Sequence, residues 1–161
     1  MKRIIILTVL LITTPLNVHA EKPFRRAGIT FGGTALLSLS YERHFSDKSL
    51  RFNVGTTEGD ISLSFSVNRY FSKSRRKFFA GAGNWTNVVP YKGIEYITLL
   101  HAPVGVDWQM SDKKYLGFEM DMNLFITGRH HDGSKVEFNS PIFHKNFILM
   151  PAIYYKIELH D

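Results

Sequence analysis

The chain has 161 residues, no cysteine and a formal net charge of +6. That length holds one domain, and the absence of thiols excludes disulfides and thiolate metal sites. The basic residues form no stripe but gather in turns, at Lys73, Arg75, Arg76 and Lys77 and again at Lys113 and Lys114, so the positive balance is not a nucleic-acid footprint.

In chain order, residues 1–20 read as a secretory signal peptide. Lys2 and Arg3 form a charged start, Ile4 to Ile12 an apolar run interrupted by Thr8, and Val18-His19-Ala20 a small-residue cleavage site. The run is too short to anchor in a bilayer, and no other stretch approaches the roughly 20 apolar residues of a membrane-spanning helix. Glu21 then opens a mature domain, 21–161, whose charge falls to +4 without Lys2 and Arg3.

From there period-two alternation dominates, the signature of half-buried strands. A short segment, Arg26–Phe31, leads into Gly32-Gly33. Leu37, Leu39 and Tyr41 oppose Ser38, Ser40 and Glu42. Leu50, Phe52 and Val54 oppose Arg51, Asn53 and Gly55, and Ile61, Leu63, Phe65 and Val67 oppose Ser62, Ser64, Ser66 and Asn68. Lys77 to Val88 is strand-like, but Ala80-Gly81-Ala82-Gly83 leaves its facing open. Val104, Val106 and Trp108 oppose Gly105, Asp107 and Gln109. In Tyr115–Thr127, Leu116, Phe118, Met120, Met122 and Leu124 separate fully from Gly117, Glu119, Asp121 and Asn123, which a helix would mix. Ile153, Tyr155, Ile157 and Leu159 oppose Ala152, Tyr154, Lys156 and Glu158.

Alternation does not say which face is wet. The polar faces carry Ser, Asn, Gly and Thr, with Arg51 and Lys156 as the only basic residues in mid-face; a solvated sheet would carry more Lys and Glu. Arg43-His44-Phe45 and Arg69-Tyr70-Phe71 close two strands with aromatic and basic residues, as an interfacial girdle would. Most runs have the length of a tilted membrane strand, about 9–11 residues. Three turns are tight: Ser46-Asp47-Lys48, Ser72 to Arg76, and Ser111-Asp112-Lys113. Placed in the periplasm, where such barrels keep their short turns, they give eight strands, both termini on that side, and the long connection Gly128 to Asn146 outside. The expected fold is all-β: an eight-stranded antiparallel up-and-down transmembrane barrel.

The run Thr34 to Arg43, the Ser-Asp-Lys turn after it and Phe79-Ala80-Gly81-Ala82-Gly83 resemble small bacterial eight-stranded outer-membrane β-barrel proteins of unknown function. The resemblance implies an outer-membrane location, surrounding lipids that include lipopolysaccharide, and recognition by the barrel assembly machinery. These barrels usually end on an aromatic residue; this chain departs from them with Leu159-His160-Asp161.

An eight-stranded barrel has a lumen that side chains just fill, so no wide pore is expected. Glu42, Asp107, Glu119, Asp121 and Glu158 would meet Arg51 and Lys156 there, with His44, His101, Gln109 and Asn123 nearby. The plain expectation is a salt-bridge plug, the alternative a proton or ion path. Toward the outer end, Leu36, Ile97, Leu99, Phe125, Ile148 and Met150 take the inward phase. They outline an apolar pocket for an acyl chain, unless the outer loop folds in through Val136, Phe138, Pro141, Ile142 and Phe143.

That loop holds His130, His131, Asp132, Ser134 and Glu137. A serine, a histidine and an acid are what acyl transfer needs, which makes His131, Ser134 and Glu137 the catalytic candidates. Lipid A deacylases and palmitoyltransferases are eight-stranded barrels of this kind. The deacylase pattern resembles a His and a Ser two apart on a strand, however, whereas His131 and Ser134 are three apart in a loop, and the palmitoyltransferase motif finds no match. His130-His131 lack further ligands at metal-site spacing, so no metal and no cofactor are expected. Three readings stand: a non-enzymatic structural or surface-interaction barrel that contacts an extracellular ligand, a lipid A-modifying acyl hydrolase or transferase, and a periplasmic barrel carrying an apolar ligand.

Overall fold

The computed structural model describes residues 23–56, 59–72, 74–88, 94–136 and 147–159, without the side chains of residues 125, 126 and 147. The expected signal peptide, most of the expected lid, Glu137 and the chain end at His160 and Asp161 lie outside the described residues. The strands are β1 Phe24–Gly32, β2 Ala35–Phe45, β3 Lys48–Thr56, β4 Ile61–Tyr70, β5 Arg76–Val88, β6 Ile94–Ser111, β7 Lys114–His130 and β8 Phe147–Leu159. Each pairs antiparallel with its sequence neighbour, and β8 pairs back onto β1 to close the barrel. Every expected strand is present. The first runs from Phe24 rather than Arg26, and β7 continues to His130.

Closure leaves no sheet edge, so the backbone can be satisfied without water, which a barrel in hydrocarbon requires. One face of every strand decides the rest. Ile29, Leu39, Val54, Leu63, Phe118 and Ile153 are exposed on the outside, whereas Ser38, Ser64, Asn68, Glu119 and Asn123 are buried inside. This is an inside-out arrangement for a water-soluble protein and the arrangement of a transmembrane barrel. Among the described residues, Tyr70, Phe79 and Tyr154 form a small buried aromatic cluster in the lumen.

Two ends differ. At the turn end, Ser46-Asp47 joins β2 to β3 with Ser46 in the left-handed region (φ 60°). Asp47 also ties β4 down: its carbonyl accepts from Tyr70 N at 2.7 Å and its carboxylate meets Arg69 Nε at 3.1 Å. At the loop end, Gly32 and Gly33 both take positive φ, and the register slips between Phe31 and Gly32. The slip corrects one expectation. Gly32 pairs with Ala35 and Phe31 with Leu37, so Ala35 takes the luminal place and Leu36 bulges out, 67% exposed.

The facing of β5, open in the sequence, follows from what lies opposite. Phe79 and Trp85 point inward, while Phe78 and Val88 point outward. Luminal glycines face several large luminal side chains across the ladder. Gly105 pairs with Phe79, Gly83 with His101, Gly28 with Lys156 and Gly117 with Tyr154. A Cβ on Gly105 would stand 2.7 Å from Phe79 Cζ, one on Gly28 2.6 Å from Lys156 Cγ, and one on Gly117 would overlap the Tyr154 ring. Each glycine is a socket for a side chain that folds over it, which is how a narrow lumen holds tyrosine, lysine and histidine.

Candidate functional site

The polar phases of eight strands converge on the lumen, and its chemistry divides along the axis. Toward the turn end lies a buried ionic cluster. Arg26 from β1 meets Asp107 from β6 at 2.9 Å, Lys156 from β8 meets Glu42 from β2 at 2.9 Å, and Arg51 from β3 meets Glu119 from β7 at 2.5 Å. Each of these six side chains is no more than 6% exposed. Glu42 is the hub. It also accepts from Ser49 Oγ at 2.5 Å and Tyr70 OH at 3.0 Å, with Arg51 Nη2 at 3.6 Å and His44 Nε2 at 3.5 Å. Tyr154 OH donates to Asp107, and Tyr70 OH, whose single proton Glu42 and Asp107 share, lies 3.3 Å from Asp107. Aromatic rings seat the cations: Arg26 lies 3.6 Å from the Tyr115 ring centroid and Lys156 4.0 Å from that of Tyr154. Buried charges persist only when paired and hydrogen-bonded in this way.

Of the residues the sequence assigned to this cluster, Glu42, Arg51, Glu119 and Lys156 meet one another, and Asp107 joins them through Tyr70. Glu158 stands apart, half-buried at the turn end and accepting from Tyr115 OH at 3.1 Å. Asp121 also stands apart, nearer the loop end, with its Oδ1 3.5 Å from His101 Nδ1. Gln109 donates to the Asp112 carbonyl in the turn. Sequence reasoning missed Arg26, which it took as the first residue of a short strand. It also placed Tyr70 in an exterior girdle, but Tyr70 shares the phase of Ser62, Ser64, Ser66 and Asn68 and is buried against Phe79, ring centroids 5.4 Å apart. Phe45 and Phe71 do face outward at that level, and Arg43 lies 5.1 Å from the Phe45 ring.

The loop end carries a chamber instead of ion pairs. Gly33, Leu36, Trp85, Asn87, Leu149 and Met150 are among the residues lining a cavity of about 400 Å³. Of the residues expected in an apolar upper pocket, Leu36 and Met150 line it, Leu36 from the rim. Leu99 is fully buried beside Trp85 in the ladder, and Ile97 and Ile148 are half-buried. The Phe125 side chain lies outside the described residues. Trp85 Nε1 donates to Ser62 Oγ at 2.5 Å, Ser62 Oγ donates to the Thr34 carbonyl at 3.1 Å, and Asn87 donates to Asp60. Val136, expected in a lid, bonds through its N–H to the Gly128 carbonyl at 3.1 Å and covers that glycine at the outer rim.

Of the catalytic candidates, His131 and Ser134 sit in a turn outside the lumen, and Glu137 lies outside the described residues. Ser134 donates from its backbone N at 2.8 Å and its Oγ at 2.6 Å to Asp132 Oδ1. The hydroxyl bond, then the backbone bond, holds the Asp132 carboxyl below its ordinary range. The hydroxyl is thus committed to a carboxylate that braces the turn, and among the described residues it makes no hydrogen bond to His131. No group of three or more His, Asp or Glu side chains with metal-binding geometry occurs among the described residues.

No protein-family model matches the sequence, and no curated protein sequence matches it either. Among solved structures, the N-terminal β-barrel domain of Pseudomonas aeruginosa OprF superposes with a TM-score of 0.59 at 10% identity, covering 88% of this chain and all of that one. A major outer membrane protein from Thermus thermophilus gives a TM-score of 0.49 at 9% identity over 86% of this chain and all of that one. The OprF likeness shows a shared fold, that of an outer-membrane β-barrel.

Proposed function

We propose that this chain is a small outer-membrane barrel with a structural or surface-interaction role, without catalysis and without a wide pore. The observation that carries this reading is the ionic cluster. Three buried ion pairs tied to Tyr70 and Tyr154 fill the lumen toward the turn end, while the outer surface is an apolar belt suited to lipid. In this reading the turn end faces the periplasm, the loop end faces outside, and residues 1–20 serve as a cleaved signal. Membrane lipids including lipopolysaccharide pack on the belt, the assembly machinery inserts the barrel, and an extracellular ligand would meet the loop end. A carrier with an apolar interior is disfavoured by the polar phase facing inward. The acyl-transfer reading is disfavoured by the Ser134 hydroxyl being spent on Asp132.

Fractionation of expressing cells, with gels of heated and unheated samples, tests the location. A heat-modifiable band in the outer membrane is expected, and a soluble periplasmic product would overturn the proposal. In planar bilayers the purified barrel is expected to give no sustained large conductance; a steady open pore would remove the plug from the account. Mass spectrometry of lipid A is expected to show an unchanged acyl pattern. A changed pattern that disappears with Ser134→Ala would restore the enzyme.

A further inference from the structure

The two halves of the lumen differ in charge. In the turn-end half, Arg26, Arg51 and Lys156 balance Asp107, Glu119 and Glu42. In the loop-end half, Asp60 and Asp121 are buried, and no lysine or arginine faces the chamber among the described residues. The carboxylates flank the chamber. Asp121 Oδ2 lies 2.9 Å from the place a Cβ on the chamber-lining Gly33 would take, and Asp60 accepts from the chamber-lining Asn87. Buried atoms without a hydrogen-bond partner among the described residues occur in both halves. In the loop-end half they include the acceptors Asn87 Oδ1, Asp121 Oδ1 and Asn123 Oδ1; in the turn-end half they include donor atoms of Arg26 and Arg51 and the acceptor Asn68 Oδ1. His101 Nδ1, 3.5 Å from Asp121, offsets that carboxylate only when protonated.

We propose that this chamber binds a small organic cation, an alkylammonium carrying a short apolar group. An ammonium supplies the donors and the charge that Asp121, Asn123 and Asn87 lack, and Trp85 offers an aromatic wall of the kind that attracts cations. Leu36, Leu149 and Met150 would receive its apolar part. A bare metal ion fits poorly, since the lining is largely apolar and holds too few oxygens. At about 400 Å³ the chamber falls within the range of small-molecule sites. Its lining lies at the loop ends of β1, β2, β5 and β8, so ligand enters and leaves from that end.

The test uses the full barrel refolded in detergent micelles. The chain has two tryptophans, Trp85 and Trp108, so Trp108→Phe leaves Trp85 as the sole reporter. Titration with n-butylammonium chloride at constant ionic strength is expected to give a saturable fluorescence change. Asp121→Asn should weaken binding about tenfold or more, the effect of removing one partner of a desolvated charge pair, and Ala35→Leu, which fills the chamber wall, should abolish it. Refolding is checked by the heat-modifiable band; if Asp121→Asn fails that check, Asp60→Asn and Ala35→Leu decide. The proposal is overturned if no saturable signal appears, if 1-pentanol binds as tightly as butylammonium, if sodium competes at equal concentration, or if the folded variants bind like the parent. The assay needs no cellular address, so its failure leaves the proposed surface role standing, and mislocalisation in cells leaves this site standing.

Discussion

Glu42→Gln is the most informative single substitution in the lumen. Glutamine keeps the shape and can still bond Ser49 and Tyr70, but it removes the only carboxylate found within ion-pair distance of Lys156 among the described residues. Arg51 retains Glu119 at 2.5 Å, so the damage falls on one cation. Leaving one buried charge without its partner costs about 3–5 kcal/mol. With a urea dependence of about 1–3 kcal/mol per molar, the unfolding midpoint should fall by about 1–5 M. The measurement is urea unfolding of the barrel in lipid vesicles, read by tryptophan fluorescence and by the unheated gel band. Lys156→Met alone should cost a similar amount, since Glu42 would keep only Arg51, at 3.6 Å, and His44 beside it. The double variant should lose clearly less than the sum, because neither charge is then stranded. A Glu42→Gln midpoint indistinguishable from the parent, or strictly additive losses in the double variant, would refute the description of Glu42 as hub of a paired cluster.

Gly117→Ala should destabilise by about 1–3 kcal/mol through overpacking against the Tyr154 ring, and adding Tyr154→Leu should return part of the loss; no effect in the same urea assay would remove the socket description. Met120→Arg, midway along the outward phase of β7, should cost about 2–4 kcal/mol in vesicles, against about 0–1 kcal/mol for Phe45→Arg beside the β2–β3 turn. Equal costs at the two depths would contradict a bilayer-spanning belt.

The sequence discloses most of the fold because a barrel uses the simplest pattern a strand can carry. Ser62, Ser64, Ser66 and Asn68 needed only a period of two to reveal an inward face, and the same count would have brought Tyr70 in with them. Girdle logic overrode it, since an aromatic at a strand end also suits an interface. Arg26 was lost at the uncertain start of β1, where one more step of alternation would have put it in phase with Gly28 and Thr30. The facing of β5 was not legible within its own segment: Gly81 and Gly83 acquire a side only when Asn68 and His101 are placed opposite them. Leu36 shows a further limit. A bulge shifts the phase by one residue, and the glycine pair that permits it does not announce its direction. Of the six apolar residues expected around the upper pocket, Leu36 and Met150 line the chamber. Asp121 beside it was assigned to the plug, because alternation fixes which side of the sheet a residue faces but only coarsely its depth along the barrel.

The three principal ion pairs have one more property in common. Each joins β1, β2 or β3 to β6, β7 or β8, across sequence separations of 81, 114 and 68 residues. No partial barrel made from either half of the chain can form any of them. A growing sheet therefore lacks these three pairs until β6, β7 and β8 have joined it, and until then only neighbours such as Arg51 and Glu42, opposite each other on β2 and β3, can compensate one another. Contacts this distant make folding slow and strongly cooperative. They also give the finished barrel a latch: opening the seam between first and last strand means separating Lys156 from Glu42, and a partly opened barrel is penalised from within as well as at its exposed edges.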